Sequence, residues 1–192
     1  MTETRERIVA ASAALMGRQG YSATGIKQIV AEAQAPFGSI YHFFPGGKEE
    51  LGAAAIRRSG AAYEALIPAV FDAAADVVTG VRMFFALAAE HLAATDYEDA
   101  CPIATIALEV SSISEPMRQA CADVFEGWTA AGVGRFAPLG LTEDRTRELV
   151  IALIAALEGA FVLCRAMRST TPLLIAGDMV ADTVARALKG LD

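Results

Sequence analysis

Apolar residues recur along this chain at helical spacing, and nowhere do they alternate in the manner of a half-buried strand. Ile8, Ala11, Ser12 and Leu15 follow the i, i+3, i+4, i+7 pattern of one helix face. Ile26, Ile29, Val30 and Ala33 repeat it on a second segment. No hairpin dipeptide is present. Sheet folds are thereby excluded, and an all-α chain is expected.

Glycine and proline set where the helices stop. Gly20 ends the first in the manner of a C-cap. Thr24 is placed to cap the second. After a break at Gln34-Ala35-Pro36, a third short helix is expected from Pro36 through Tyr41, with Pro36 in its first turn. Pro45-Gly46-Gly47 is the next stop, and a long helix is expected from Lys48 on past Leu66. Further helices are expected over residues 76–94, 102–112, 115–133, 142–169 and 172–191.

The 192 residues, 54% of them hydrophobic, suffice for a core without disulfide or metal staples. Cys101, Cys121 and Cys164 are too widely spaced for a zinc site and odd in number for a disulfide framework. They read as buried thiols in a reducing cytosol, so a cytoplasmic protein is expected. Residues 1–7 carry no apolar segment of the signal-peptide kind. The most apolar stretch, 149–164, is interrupted by Glu158 and Gly159 and closed by Arg165. It is shorter than the roughly 20 residues of a membrane span and is expected to be a buried helix.

Charge is unevenly divided. The net charge of −7 at first argues against a nucleic-acid partner, since phosphates are met by Lys and Arg. Residues 1–58 hold 7 basic and 5 acidic side chains, a net of +2, while the remainder holds 9 basic and 18 acidic, a net of −9. The N-terminal part can therefore approach phosphates.

Residues 24–44 read as helix, break, helix: a candidate helix-turn-helix. Its second helix carries Gly38, which admits close approach of a backbone. Ser39 and His42 offer hydrogen-bonding groups to base edges in a major groove. Ile40 and Phe43 are expected to face inward. The Tyr41 hydroxyl would reach a phosphate, and Lys48, at a helix start, would grip one together with helix N–H groups. Ser39 would otherwise be a plain surface serine, and His42 a cover for the domain surface. Arg18 and Lys27 are either solvated or weak phosphate contacts.

Gly20-Tyr21, Ala23-Thr24-Gly25-Ile26, Ile29-Val30-Ala31-Glu32-Ala33, Gly38-Ser39-Ile40-Tyr41-His42-Phe43-Phe44 and Lys48-Glu49-Glu50-Leu51 together resemble the TetR family of bacterial transcriptional repressors. Ala23-Thr24-Gly25, Pro45-Gly46-Gly47-Lys48-Glu49-Glu50-Leu51 and Cys101-Pro102-Ile103-Ala104 are similar to its LmrA/YxaF-type branch. The resemblance implies an N-terminal helix-turn-helix DNA-binding domain, residues 1–47. A C-terminal helical ligand-binding and dimerisation domain, residues 48–192, would follow. It also implies a homodimer that binds a palindromic operator on double-stranded DNA and is released by a small, apolar effector. DNA contacts are expected from Lys27, Pro36, Phe37, Gly38, Ser39, Tyr41, His42 and Lys48. Two positions depart from the family pattern. Gln34 stands where the turn usually has Gly, at a cost of about 1 kcal/mol for a left-handed residue. Phe37 stands where the branch often has Lys, and could touch a thymine methyl instead.

In the C-terminal part, Trp128 is the expected pocket wall, with Phe84, Phe125 and Phe161 behind it. His91 and Glu109 are polar groups within apolar runs and join them as candidate ligand contacts. The helix over 142–169 carries one apolar face of Leu149, Leu153, Ala156, Ala160 and Leu163 and another of Val150, Ile154, Leu157, Phe161 and Cys164. One face would serve the core and the other a partner copy, or both would be covered within the monomer. On the last helix, Ile175, Met179, Val180, Thr183 and Val184 would join that interface, with Ala176 and Gly177 permitting close approach. No cofactor, metal or membrane partner is expected. Only His42 and His91 could serve hydrolytic chemistry; His42 sits in the candidate recognition helix and the neighbouring Glu90 does not face His91, so an enzyme is not expected. The alternative is an all-helical small-molecule carrier or sensor without DNA binding, which leaves Gly38-Ser39-Ile40-Tyr41 and Lys48 unexplained.

Overall fold

The computed structural model describes residues 2–190. Among them there are ten α-helices and no strand: α1 (Thr2–Gln19), α2 (Ile26–Glu32), α3 (Ser39–Phe43), α4 (Gly47–Glu64), α5 (Leu66–Ala73), α6 (Val77–Ala94), α7 (Pro102–Val110), α8 (Glu115–Phe136), α9 (Glu143–Met167) and α10 (Thr171–Lys189). The chain forms two compact units. One comprises residues 1–62 and 101–125, the other 63–100 and 126–192.

In the first unit α1 packs on α2, α3 and α7. Ile8, Leu15 and Met16 of α1 are buried with Ile29, Ile40 and Phe44. A β-carbon on Gly52 of α4 would meet the Met117 sulfur of α8 at 2.6 Å, so glycine sets how closely these two helices approach. The expected stop at Gly20 is present, with φ +87°. Three local expectations need correction. Thr24 does not cap α2. Its hydroxyl donates to the Gly20 carbonyl (2.7 Å), and α2 starts from Gly25 without a side-chain cap. Pro36 precedes α3 rather than opening it. A turn in which Ser39 N–H donates to the Pro36 carbonyl (3.0 Å) leads into a helix over Ser39–Phe43. Finally, α4 does not continue past Leu66. Pro68 has no N–H for the Glu64 carbonyl and its ring crowds that carbonyl, so the chain breaks at Ala65 and restarts as α5.

In the second unit α10 packs on α6 and α9, and α5 on α6. The Asp76 carboxylate caps α6 by accepting Thr79 N–H (2.8 Å). Thr142 caps α9 in the same manner. Arg82 of α6 reaches Asp178 (3.1 Å) and Asp182 (2.7 Å) of α10. Arg147 of α9 forms a two-pronged pair with Glu126 of α8. By length and composition α6 and α9 are apolar enough to cross a membrane. One side of α9 is nonetheless occupied within the unit, with Leu149, Val150, Leu153, Leu157, Ala160, Phe161 and Cys164 buried.

That list corrects the expected division of α9. Members of both expected faces turn inward together, while Ile154 and Ala156 are half-buried and Leu163 is exposed. The outward stripe is a third one: Ile151, Ala155, Gly159, Val162, Leu163 and Met167. On α10, Gly177 faces Phe85 of α6, where an added β-carbon would come within 2.6 Å of the Phe85 β-carbon. Val184 is buried, and the outward apolar residues are Leu174, Ile175 and Met179.

Candidate nucleic-acid interface

The helix-turn-helix is built from few parts. Ile29 and Ala33 anchor α2, and Ile40 and Phe44 anchor α3, all fully or nearly fully buried. Burial at positions 40 and 44 fixes which side of α3 remains outside. Phe37 (49% exposed), Gly38, Tyr41 (53% exposed) and His42 lie on that side, with Ser39 half-buried at the helix start. Phe43 is half-buried, and the His42 ring meets its edge with centroids 4.8 Å apart. The Phe37 and Tyr41 rings are tilted against each other with centroids 6.2 Å apart. Exposed large aromatic side chains one turn apart, with water on the other side, make a surface suited to stacking or methyl contact rather than to core packing.

Gly38 has ordinary helical geometry, φ −63° and ψ −18°, and no heavy atom lies within 4 Å of where its β-carbon would be. Neither backbone conformation nor internal packing requires glycine there. The turn between α2 and α3 keeps its left-handed geometry despite lacking glycine: Gln34 has φ +49°. Arg7 donates to the Gln34 carbonyl (3.4 Å). Lys27 is exposed on α2, and Pro36 is exposed on the turn.

Lys48 stands at the second position of α4 and is half-buried. Its ammonium donates to the Tyr21 carbonyl (2.7 Å) and sits 4.1 Å from the centre of the Tyr21 ring. Burial pushes its pKa below the usual lysine range, and the Glu109 carboxylate nearby partly restores it. Burial, and to a lesser degree Glu49, raises that of Tyr21. An ammonium has three donors, so the bond to Tyr21 orients Lys48 while leaving it the capacity to bind an anion.

The candidate ligand contacts are dispersed. Trp128 and Phe161 are buried in the second unit, and Phe84 is half-buried there. The Trp128 ring stacks on Tyr63 at 6.1 Å, and Phe84 lies 6.3 Å from Phe71. Tyr63, which also donates to the Ala100 carbonyl (3.4 Å), was not anticipated as part of the Trp128 surroundings, because 65 residues separate them. His91 is exposed, with its Nε2 3.5 Å from the Asp99 carboxylate, and does not point into an apolar interior. Phe125 and Glu109 belong to the first unit. Glu109 is placed differently from its expected role: both of its oxygens accept backbone N–H groups of the α1–α2 turn, from Tyr21 (3.0 Å) and Ser22 (2.8 Å). No signal local to Glu109 in the sequence announces this.

The chain is similar to known transcriptional regulators. The description of bacterial regulatory proteins of the tetR family matches residues 8–55. That of the C-terminal domain of LmrA/YxaF-like transcriptional regulators matches residues 77–179. The HTH-type transcriptional regulator YxaF of Bacillus subtilis is 35% identical over 93% of this chain and 93% of its own length. The HTH-type transcriptional regulator LmrA of the same organism is 31% identical over 96% of this chain and 98% of its own. The crystal structure of a regulatory protein TetR from Rhodobacter sphaeroides has the same fold, with a TM-score of 0.79 over 92% of this chain and 96% of that one, at 23% identity.

Proposed function

This chain belongs to the TetR family of bacterial regulatory proteins, with an LmrA/YxaF-like C-terminal domain, and from that premise we propose that it is a ligand-released repressor. It is a transcriptional regulator, with an N-terminal helix-turn-helix domain and a C-terminal helical domain, and not an enzyme. In the proposed reading residues 1–47 contact a palindromic operator in the cytoplasm, and two copies of the chain bind its two half-sites. A small apolar effector, held among helices of residues 48–192, favours a state in which the two reading heads no longer match successive major grooves, about 34 Å apart.

The observation that carries this reading is the outer side of α3. Phe37, Gly38, Tyr41 and His42 are exposed there while Ile40 is fully buried. Such a helix enters a groove with aromatic and polar groups leading and with no side chain at Gly38 to hold the backbone off. Tyr41 and Lys48 would take phosphates, and Lys27 would add a weaker contact. The exposed apolar stripe of α9 and the outward residues of α10 supply a surface for a self-complementary pairing of two copies.

The test is a salt titration of binding to the DNA upstream of the protein's own gene, followed by anisotropy. Tyr41→Phe and Lys48→Ala are each expected to weaken binding. Lys48→Ala should also lower the slope of log K against log salt by about one charge. A carrier without DNA binding would produce no shift with the unsubstituted protein.

A further inference from the structure

The α1–α2 turn is held from outside by two charged side chains, one of which, Glu109, has no part in the proposed DNA contacts. The Glu109 carboxylate, on α7, accepts Tyr21 N–H at 3.0 Å through one oxygen and Ser22 N–H at 2.8 Å through the other. Lys48 of α4 donates to the carbonyl of the same Tyr21 at 2.7 Å. Gly20 is shaped for this arrangement. Its φ of +87° presents two consecutive N–H groups to one anion, and a β-carbon there would collide with the Glu109 Oε1 atom. Thr24 and Gln19 close the turn internally, Thr24 onto the Gly20 carbonyl and Gln19 onto the Ala23 carbonyl (3.3 Å). α2 starts two residues after Thr24, and α3 follows, so the geometry of this turn sets where both reading helices stand relative to α1.

We infer that Glu109 is a positioning residue for DNA recognition: it fixes the α1–α2 turn and with it the stance of α2 and α3. The inference rests on the reading of α2 and α3 as the DNA-contacting pair. It makes a prediction opposite in sign to simple electrostatics. A carboxylate close to the DNA-reading helices repels phosphates, so neutralising it would by charge alone strengthen binding. If Glu109 positions the turn, neutralising it weakens binding instead. Because no phosphate contact is removed, the number of counterions released stays the same.

The experiment compares the full-length protein with its Glu109→Gln variant on the upstream DNA across a range of salt concentrations, with thermal melting of both. Amide hydrogen exchange at Tyr21 and Ser22 is measured in the unsubstituted protein as well. The expected result is a loss of tenfold or more in affinity with parallel salt lines, and slow exchange of both amides. Unchanged or tighter binding by a folded variant overturns the inference. If the variant does not fold, the exchange measurement decides: free exchange of the two amides in the unsubstituted protein overturns it, and protection supports it. Should the unsubstituted protein bind no upstream DNA at all, the repressor reading fails, an outcome distinct from a variant that binds as well as its parent.

Discussion

At the scale of single residues, Gly38 separates function from folding most cleanly. An alanine there meets no atom within 4 Å and adopts φ −63° without strain. Losing a glycine from the unfolded chain stabilises by about 0.4–1 kcal/mol, and losing it from a helix start offsets part of that. Gly38→Ala should therefore leave the urea midpoint nearly unchanged while lowering operator affinity tenfold or more, because the new methyl occupies the space a base edge or phosphate would fill. Equal affinity would mean that DNA does not use that space. Gln34 is the converse case. Its φ of +49° costs about 1–2 kcal/mol for a residue with a β-carbon, and the bond from Arg7 goes to its backbone carbonyl, which glycine also has. Gln34→Gly is expected to raise the unfolding free energy by about 0.5–1 kcal/mol in urea titrations, after the entropic cost of glycine is deducted. The departure at Gln34 was visible in the sequence, and so was the expectation that Phe37 and Tyr41 face DNA. The engagement of Glu109 was not, because its partners are backbone N–H groups that carry no residue signature and lie 87 and 88 residues away.

At the scale of helices, periodicity located nearly every element, and the misses have specific physical causes. The break between α4 and α5 was legible in Pro68, whose effect falls on the carbonyl four residues earlier rather than at the proline itself. The faces of α9 were not legible. Its sequence is apolar on all sides, and only packing decides which stripes α10 and the rest of the unit cover. Small residues mislead in the same way: Gly177 looked available to a partner and is instead pressed against Phe85. That contact can be tested. In Gly177→Ala the new β-carbon would lie 2.6 Å from the Phe85 β-carbon, an atom fixed to the α6 backbone that no rotamer change can move. Overpacking of this kind costs about 1–3 kcal/mol, against a gain of about 1 kcal/mol in helix propensity. A net loss of up to about 2 kcal/mol is expected, read as a lower midpoint in chemical denaturation. A midpoint equal to or above the parent's would show that α6 and α10 can separate at little cost.

At the scale of the whole molecule, charge and assembly become one question. Residues 1–58 carry a net of +2 and the rest a net of −9. A module with so small a surplus attracts DNA only weakly at long range, and the acidic remainder opposes nonspecific approach to it. On the proposed reading one head alone is a weak binder, and tight binding to an operator would need two heads on one DNA. Joining two weak contacts raises overall affinity by roughly 10²–10⁴-fold without any new contact, provided the spacing fits both sites. The surface proposed for joining them is the outward stripe of α9, where Val162 is 57% and Leu163 53% exposed in the single chain. Gly159 lies beside them with open space where a β-carbon would be, so the backbone of a second α9 could come close. Val162→Glu tests the connection. An exposed valine contributes little to the stability of one chain, so the variant should melt close to its parent at low concentration. A carboxylate on a self-complementary surface is introduced twice, once from each copy, and burying it there unpaired is costly. Light scattering should report a monomer. Affinity for the full operator should fall a hundredfold or more, while affinity for an isolated half-site stays at the parent's value. A monomeric variant that still bound the full operator as tightly as the parent would show that one head suffices, and the modest +2 would then have to be supplemented by contacts outside residues 1–58.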